Sequence, residues 1–125
     1  MNPKSWLDTE SVDKILRYMN VTSFREKLVV GNIANIDTPG YQTQDINFQD
    51  SLERADQSLE DGAAPLPPQV YQPQGLIERP DGNNVSLDRE ALILSSVQLQ
   101  YRTAIALLRQ EFSRIQMAIN ENNGA

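Results

Sequence analysis

At 125 residues the chain amounts to one ordinary domain at most, with room for a modest core. Hydrophobic residues make up 39% and mean hydropathy is −0.49, below a typical globular share. A net charge of −6 supplies no basic field for a phosphate backbone, and the absence of Cys and His excludes Cys/His zinc sites, thiol nucleophiles and imidazole bases.

The opening residues "MNPKSWLDTESV" carry no apolar h-region and no small-residue cleavage site, so no cleavable secretory signal is expected. No stretch approaches the roughly 20 apolar residues needed to cross a bilayer, and direct membrane insertion is not expected either.

A first helical segment is expected within 1–36, with Asp8 or Thr9 at its start. Val12, Ile15, Leu16 and Met19 form one face; Phe24, Leu28, Val29, Val30, Ile33 and Ile36 continue it with a phase shift. The polar and β-branched run "NVTS" at 20–23 predicts a kink or break there. Gly31 inside the run costs about 1 kcal/mol relative to Ala, which predicts close approach of another backbone.

The segment ends in "NIANIDTPGY". Asn tolerates left-handed geometry and bonds orphan carbonyls at a helix end, and Pro39-Gly40 suits the centre of a type II turn. Helix termination explains the turn. It asks neither for "NIAN" as a unit nor for Tyr41 after the glycine.

Residues 37–85 have another composition. "DINFQDSLERADQSLED" places Phe48, Leu52, Ala55 and Leu59 at helical spacing, predicting a short acidic helix whose carboxylates face solvent; it lacks the ligand pattern of a calcium loop. "GAAPLPPQVYQPQG" is expected to be a stiff, extended connector, since its prolines remove donors. Pro-Asp-Gly at 80–82 signals a tight turn, with a small hairpin expected over 69–79.

The strongest periodicity lies in 86–125. Leu87, Ala91, Leu94, Gln98, Tyr101, Ile105, Leu108, Phe112, Ile115 and Ile119 alternate spacings of four and three, predicting a helix over about 86–120 with Ser86 as N-cap. Asp88 and Glu90 suit the positive end of its dipole. Leu92, Leu99 and Ala106 widen the stripe, and Val97 and Ala104 add apolar surface on the other flank.

The fold class read from these elements is mainly α. Two long terminal helices form an antiparallel coiled-coil-like pair, with a short acidic helix and a Pro-rich extended or small β segment between them. The seam fits a monomeric bundle core and self- or hetero-assembly equally well. Its surplus apolar flank favours assembly, because a two-helix hairpin buries one face of each helix, so ordering is expected to be coupled to association. No catalytic constellation, phosphate loop or nucleophile elbow is present, and no cofactor is expected.

Asn32, Ile33, Ala34, Asn35, Thr38, Pro39, Gly40 and Tyr41 together resemble the signature of the bacterial flagellar axial proteins, the rod, hook and hook-associated subunits. The short length and the block "DGNNVSLDREALILSSVQLQYRTAIALL" look most like a proximal rod subunit. The resemblance implies a non-enzymatic structural protein of the basal-body rod crossing the periplasm. It implies terminal helices that order on assembly, and export through the flagellar type III apparatus without a cleaved signal. Implied partners are further copies, the adaptor FliE, and the rod proteins FlgC and FlgF. On that reading Asn32, Ile33, Asn35, Thr38, Pro39, Gly40 and Tyr41 form a subunit-contact loop, with Tyr41 as its aromatic anchor. Leu94, Tyr101, Ile105, Leu108, Phe112 and Ile115 form the helix seam. A cytoplasmic coiled-coil adaptor or export chaperone that never polymerises is the competing expectation.

Overall fold

The computed structural model describes residues 9–123. In chain order it holds α1 (Thr9–Ala34), β1 (Asp45–Ile46), α2 (Phe48–Glu60), β2 (Val70–Tyr71) and α3 (Leu87–Asn123). The protein is mainly α, with the two long helices packed on each other as expected. Asn32 of α1 meets Glu90 near the start of α3, while Ile15 and Tyr18 share a groove with Thr103 and Leu107, so the pair is antiparallel.

Helix α1 runs unbroken through "NVTS", against the expected break. Val21 and Thr22 are buried, and the Thr22 hydroxyl donates back to the Tyr18 carbonyl at 2.8 Å. Tertiary packing thus outweighs a few tenths of a kcal/mol of weak propensity per residue. Of the two expected caps, Asp8 lies outside the described residues and Thr9 opens the helix itself. Gly31 has no close neighbour: a Cβ built there meets nothing within 4 Å. The close approach lies elsewhere, where a Cβ on Gly82 would stand 3.3 Å from the Gly40 Cα.

The acidic helix α2 starts at Phe48 because the Asn47 side chain accepts the Asp50 amide at 2.9 Å. Ala55 joins Val21 and Ile46 in a small buried cluster, flanked by Phe24, Leu28 and Phe48. Tyr18 meets Phe48 edge-on, ring centroids 5.3 Å apart.

No hairpin forms over 69–79. Val70 and Tyr71 instead pair antiparallel with Ile46 and Asp45, so the connector returns to the strand that precedes α2. Its prolines leave few donors for a self-contained ladder, whereas the two central residues find partners in β1. Downstream, the Gly82 amide closes the Pro-Asp-Gly turn on the Arg79 carbonyl at 2.9 Å.

Helix α3 spans 37 residues, roughly 55 Å at 1.5 Å per residue. Ser86 caps it, its hydroxyl accepting the Arg89 amide at 3.2 Å. Its inward line is rotated from the expected one. Val97 (0% exposed) and Ala104 (1%) are its fully buried apolar residues, while Leu94, Tyr101, Ile105, Leu108 and Ile115 are half-buried and Phe112 is 53% exposed. Gln98 faces solvent. Spacing alone admits two registers that share Leu94, Tyr101, Leu108 and Ile115. The one adopted puts the smaller Val97 and Ala104 under α1, where backbones approach closest.

Candidate functional site

The signature segment folds into a polar knot that ties the end of α1 to the start of α3. Its centre is Asn32, fully buried. The Asn32 amide nitrogen donates to the Gln44 carbonyl (2.8 Å) and to Glu90 Oε2 (3.0 Å). Its oxygen accepts from the Tyr41 hydroxyl (2.9 Å) and the Gln44 amide (3.0 Å). Every strong hydrogen-bonding position of that side chain is filled.

Around Asn32 the turn takes the expected form. Asn35 ends the helix by donating its side-chain nitrogen to the Gly31 carbonyl at 2.8 Å, and its oxygen accepts the Thr38 hydroxyl at 3.1 Å. Tyr41 N–H donates to the Thr38 carbonyl at 3.2 Å and Gly40 has φ +75°, the geometry of a type II turn with Pro39 at its second position. Thr38, Pro39 and Gly40 are exposed on the crown; Ile33, Asn35 and Tyr41 are half-buried.

Sequence reasoning missed the other half of the knot. Asn83, fully buried, donates to the Asn35 and Thr38 carbonyls at 2.9 and 2.8 Å and accepts the Val85 amide at 2.8 Å. Asn84 accepts the Thr43 amide and hydroxyl at 2.7 and 2.8 Å and donates to Gln42 at 2.8 Å. Arg79 donates to the Ile36 carbonyl. Paired Asn-Asn after the Pro-Asp-Gly turn was the available signal, since consecutive amides beyond a turn suit docking onto carbonyls.

Beneath these amides lie charges. Asp45 (2% exposed) accepts a two-point contact from Arg25 at 3.0 and 3.1 Å and a further bond from Arg89 at 2.7 Å. Arg89 also donates to Glu90 Oε1 at 2.7 Å, and Glu90 is fully buried. Glu90 is therefore a core residue and not a dipole-facing surface charge; Asp45 likewise leaves the solvated acidic face to which it was assigned. Two guanidinium groups and two carboxylates balance. Burial alone would raise the Asp45 carboxyl, but the hydrogen bonds from Arg25 and the Ile46 amide, the Arg25 charge and the Arg89 contact hold it below the ordinary carboxylate value. Burial and then the Glu90 charge push the Tyr41 phenol up, so it remains a donor to Asn32.

The outer face of α3 differs in character. Against the expectation that no stretch approaches that length, helix α3 contains a window apolar and long enough to cross a membrane by length and composition alone, and 11% of that window is buried within the molecule. Gln98, Gln100, Arg102 and Arg109 interrupt its surface. Leu92 (74% exposed) and Leu99 (66%) stand with exposed Ala106 on the side turned away from Val97. Among the described residues nine polar or charged residues are buried and seven apolar ones, so the interior is not where most of the apolar surface of α3 goes.

No family model matches the chain. Among proteins of known role it is similar to the flagellar basal body rod protein FlgB of Yersinia ruckeri, 31% identical over 79% of this chain and 88% of the relative. The protein of that name from Borrelia hermsii is 30% identical over 87% and 95%, and that of Escherichia coli K12 is 26% identical over 91% and 99%.

Proposed function

Because the chain belongs to the FlgB family of flagellar basal body rod proteins, we propose that it is a subunit of the proximal rod, built into the axial shaft by packing of its two long helices against those of neighbours. A structural role in the rod, in association with other flagellar components, accompanies the family. The observation that carries the finer reading is the uncovered apolar face of α3: a helix of this length with Leu92 and Leu99 in solvent has surplus surface that only other subunits can remove from water.

In this reading, residues 9–34 and 87–123 form one axial core unit, and 37–85 is its connector. The knot fixes the angle between the helices. The exposed crown of Thr38, Pro39 and Gly40 offers the loop's outward contact, while Asn32, Asn35 and Tyr41 act from within by holding the crown in shape. Repeated head-to-tail contacts that do not close generate a helical stack. The neighbours are further copies, FliE, FlgC and FlgF, and delivery is through the type III apparatus without a cleaved signal.

Fractionation tests this. A tagged full-length chain should co-purify with isolated basal bodies and occupy the proximal rod in a reconstruction of them. Recovery solely in the cytosol, bound to a single partner, would favour the non-polymerising adaptor.

A further inference from the structure

Between the first half of α1 and the second half of α2 runs a trough that changes character along its length. At one end Ile15, Tyr18, Leu52 and Leu107 line an open, mainly apolar groove of about 350 Å³, with Lys14 at its edge and Thr103 and Ala104 of the resident α3 closing one side. A cavity of about 150 Å³ suffices for a benzene-sized group, so this one has room for two leucine-sized side chains. Toward the start of α1 the trough becomes acidic: Asp13 and Glu60 stand around a second depression with Glu10, which is paired with Lys14 at 3.7 Å, and Asp56 lines the neighbouring groove. The Asp56 Oδ1 is shielded from water with no hydrogen-bond partner. Asp13 and Glu60 are exposed.

The uncovered side of α3 carries the complementary order. Leu92 and Leu99 come first; Arg102 and Arg109 follow, both exposed and, among the described residues, in no ion pair. From Leu99 to Arg109 the helix rises roughly 15 Å, and from Tyr18 back to Glu10 roughly 12 Å. The apolar-to-charged steps therefore match in length as well as in sign.

Resting on the rod-subunit reading, we propose that this trough is the seat of α3 from a second copy. Leu99 of the incoming helix enters the Tyr18–Leu52 groove, and its Arg102 and Arg109 reach the Asp56–Glu60–Asp13 end. Only one direction satisfies both halves. The incoming α3 then runs antiparallel to α1 and parallel to the resident α3, so successive copies share one polarity. The surfaces used are different on the two partners, which makes the contact head-to-tail and open-ended. Paired charges at the rim fix direction and register more than they add affinity.

The natural absence of cysteine makes disulfide trapping clean. Two full-length single-cysteine chains, Leu99→Cys and Leu52→Cys, are co-expressed in flagellated cells, and basal bodies are isolated under mild oxidation. A disulfide-linked heterodimer is expected, as it is for Arg109→Cys with Glu60→Cys. The crossed pair Leu99→Cys with Glu60→Cys should yield at least tenfold less. Adding Arg102→Glu and Arg109→Glu to the Leu99→Cys chain should lower trapping about tenfold, and Asp56→Lys with Glu60→Lys on the Leu52→Cys partner should restore it. Dominant Leu99–Leu99 linkage, equal trapping of the crossed pair, or no linkage in basal bodies that contain both chains overturns the docking while leaving the rod assignment intact. Absence of the unsubstituted tagged chain from basal bodies overturns the rod assignment and the docking with it.

Discussion

The knot and the trough sit at opposite ends of the same helix pair, and they handle polar groups in opposite ways. At the knot, Asn32, Asn83, Asn84, Asp45 and Glu90 are buried and hydrogen-bonded within the chain. At the trough end, polar atoms of Arg17, Asp56 and Gln100 are shielded yet unpaired, and Leu107, Phe112 and Met117 of α3 stand in water. One end satisfies its buried polar groups within the chain; the other leaves some of them unpaired. A buried polar network is costly unless every member is satisfied. It therefore suits a joint that must hold one geometry, whereas apolar stripes suit surfaces that must find a partner.

Substitutions can break that contrast, beginning with the largest expected effect. Asn32→Leu strands Gln44, Tyr41 and Glu90 at once and should cost about 4–5 kcal/mol, read by urea unfolding at a concentration where the chain is helical. An effect under about 1 kcal/mol would show that the knot is not the rigid end.

Asp45→Asn leaves Arg25 and Arg89 without their shared carboxylate and should cost about 3 kcal/mol at neutral pH. It also reports on pH. Because the folded-state carboxyl lies below its ordinary value, its contribution is fully present above the unfolded-state pKa of about 3.9 and is lost as pH falls through the depressed folded value. The variant should lose that acid-dependent component in a circular dichroism titration, and an unchanged acid limb would contradict the assignment.

Gly82→Ala should cost about 1–2 kcal/mol, from its φ of +87° and the 3.3 Å approach to Gly40. The same change at Gly31, which is helical and open, should stabilise by up to about 1 kcal/mol. Paired thermal melts of the two variants separate turn strain from helix propensity.

Leu99→Asn marks the smallest effect on the chain itself, within about 0.5 kcal/mol, because the side chain is already in water. Its effect on assembly should nonetheless be severe, with motility lost and the protein absent from basal bodies. Normal swimming would sever the link between the uncovered ridge and rod formation.

Local rules carried much of this into view from the chain alone. The 3.6-residue periodicity over 87–119 marked α3; Ser86 and Pro39-Gly40 marked its cap and the turn after α1. Each is decided by groups within a few residues of one another. What escaped depended on residues 40 to 60 positions apart, such as Asn32 with Glu90, Asn35 with Asn83, and Arg89 with Asp45. A glutamate in the first turn of a helix obeys the dipole rule whether it faces water or an asparagine, and spacing has no means to distinguish the two.

Sequence by itself determined that the two terminal segments and the acidic one are helical, that the chain turns at Pro39-Gly40 and at Pro-Asp-Gly, and that the apolar stripe of α3 exceeds what one partner helix covers, since these follow from backbone sterics and side-chain period. Only the tertiary structure decided which of two overlapping registers of α3 faces α1, that β2 returns to β1 and forms no hairpin of its own, and that the signature asparagines look inward. Those outcomes follow from the closest approach of two helices and the need to satisfy every buried donor and acceptor, conditions set by neighbours distant in sequence.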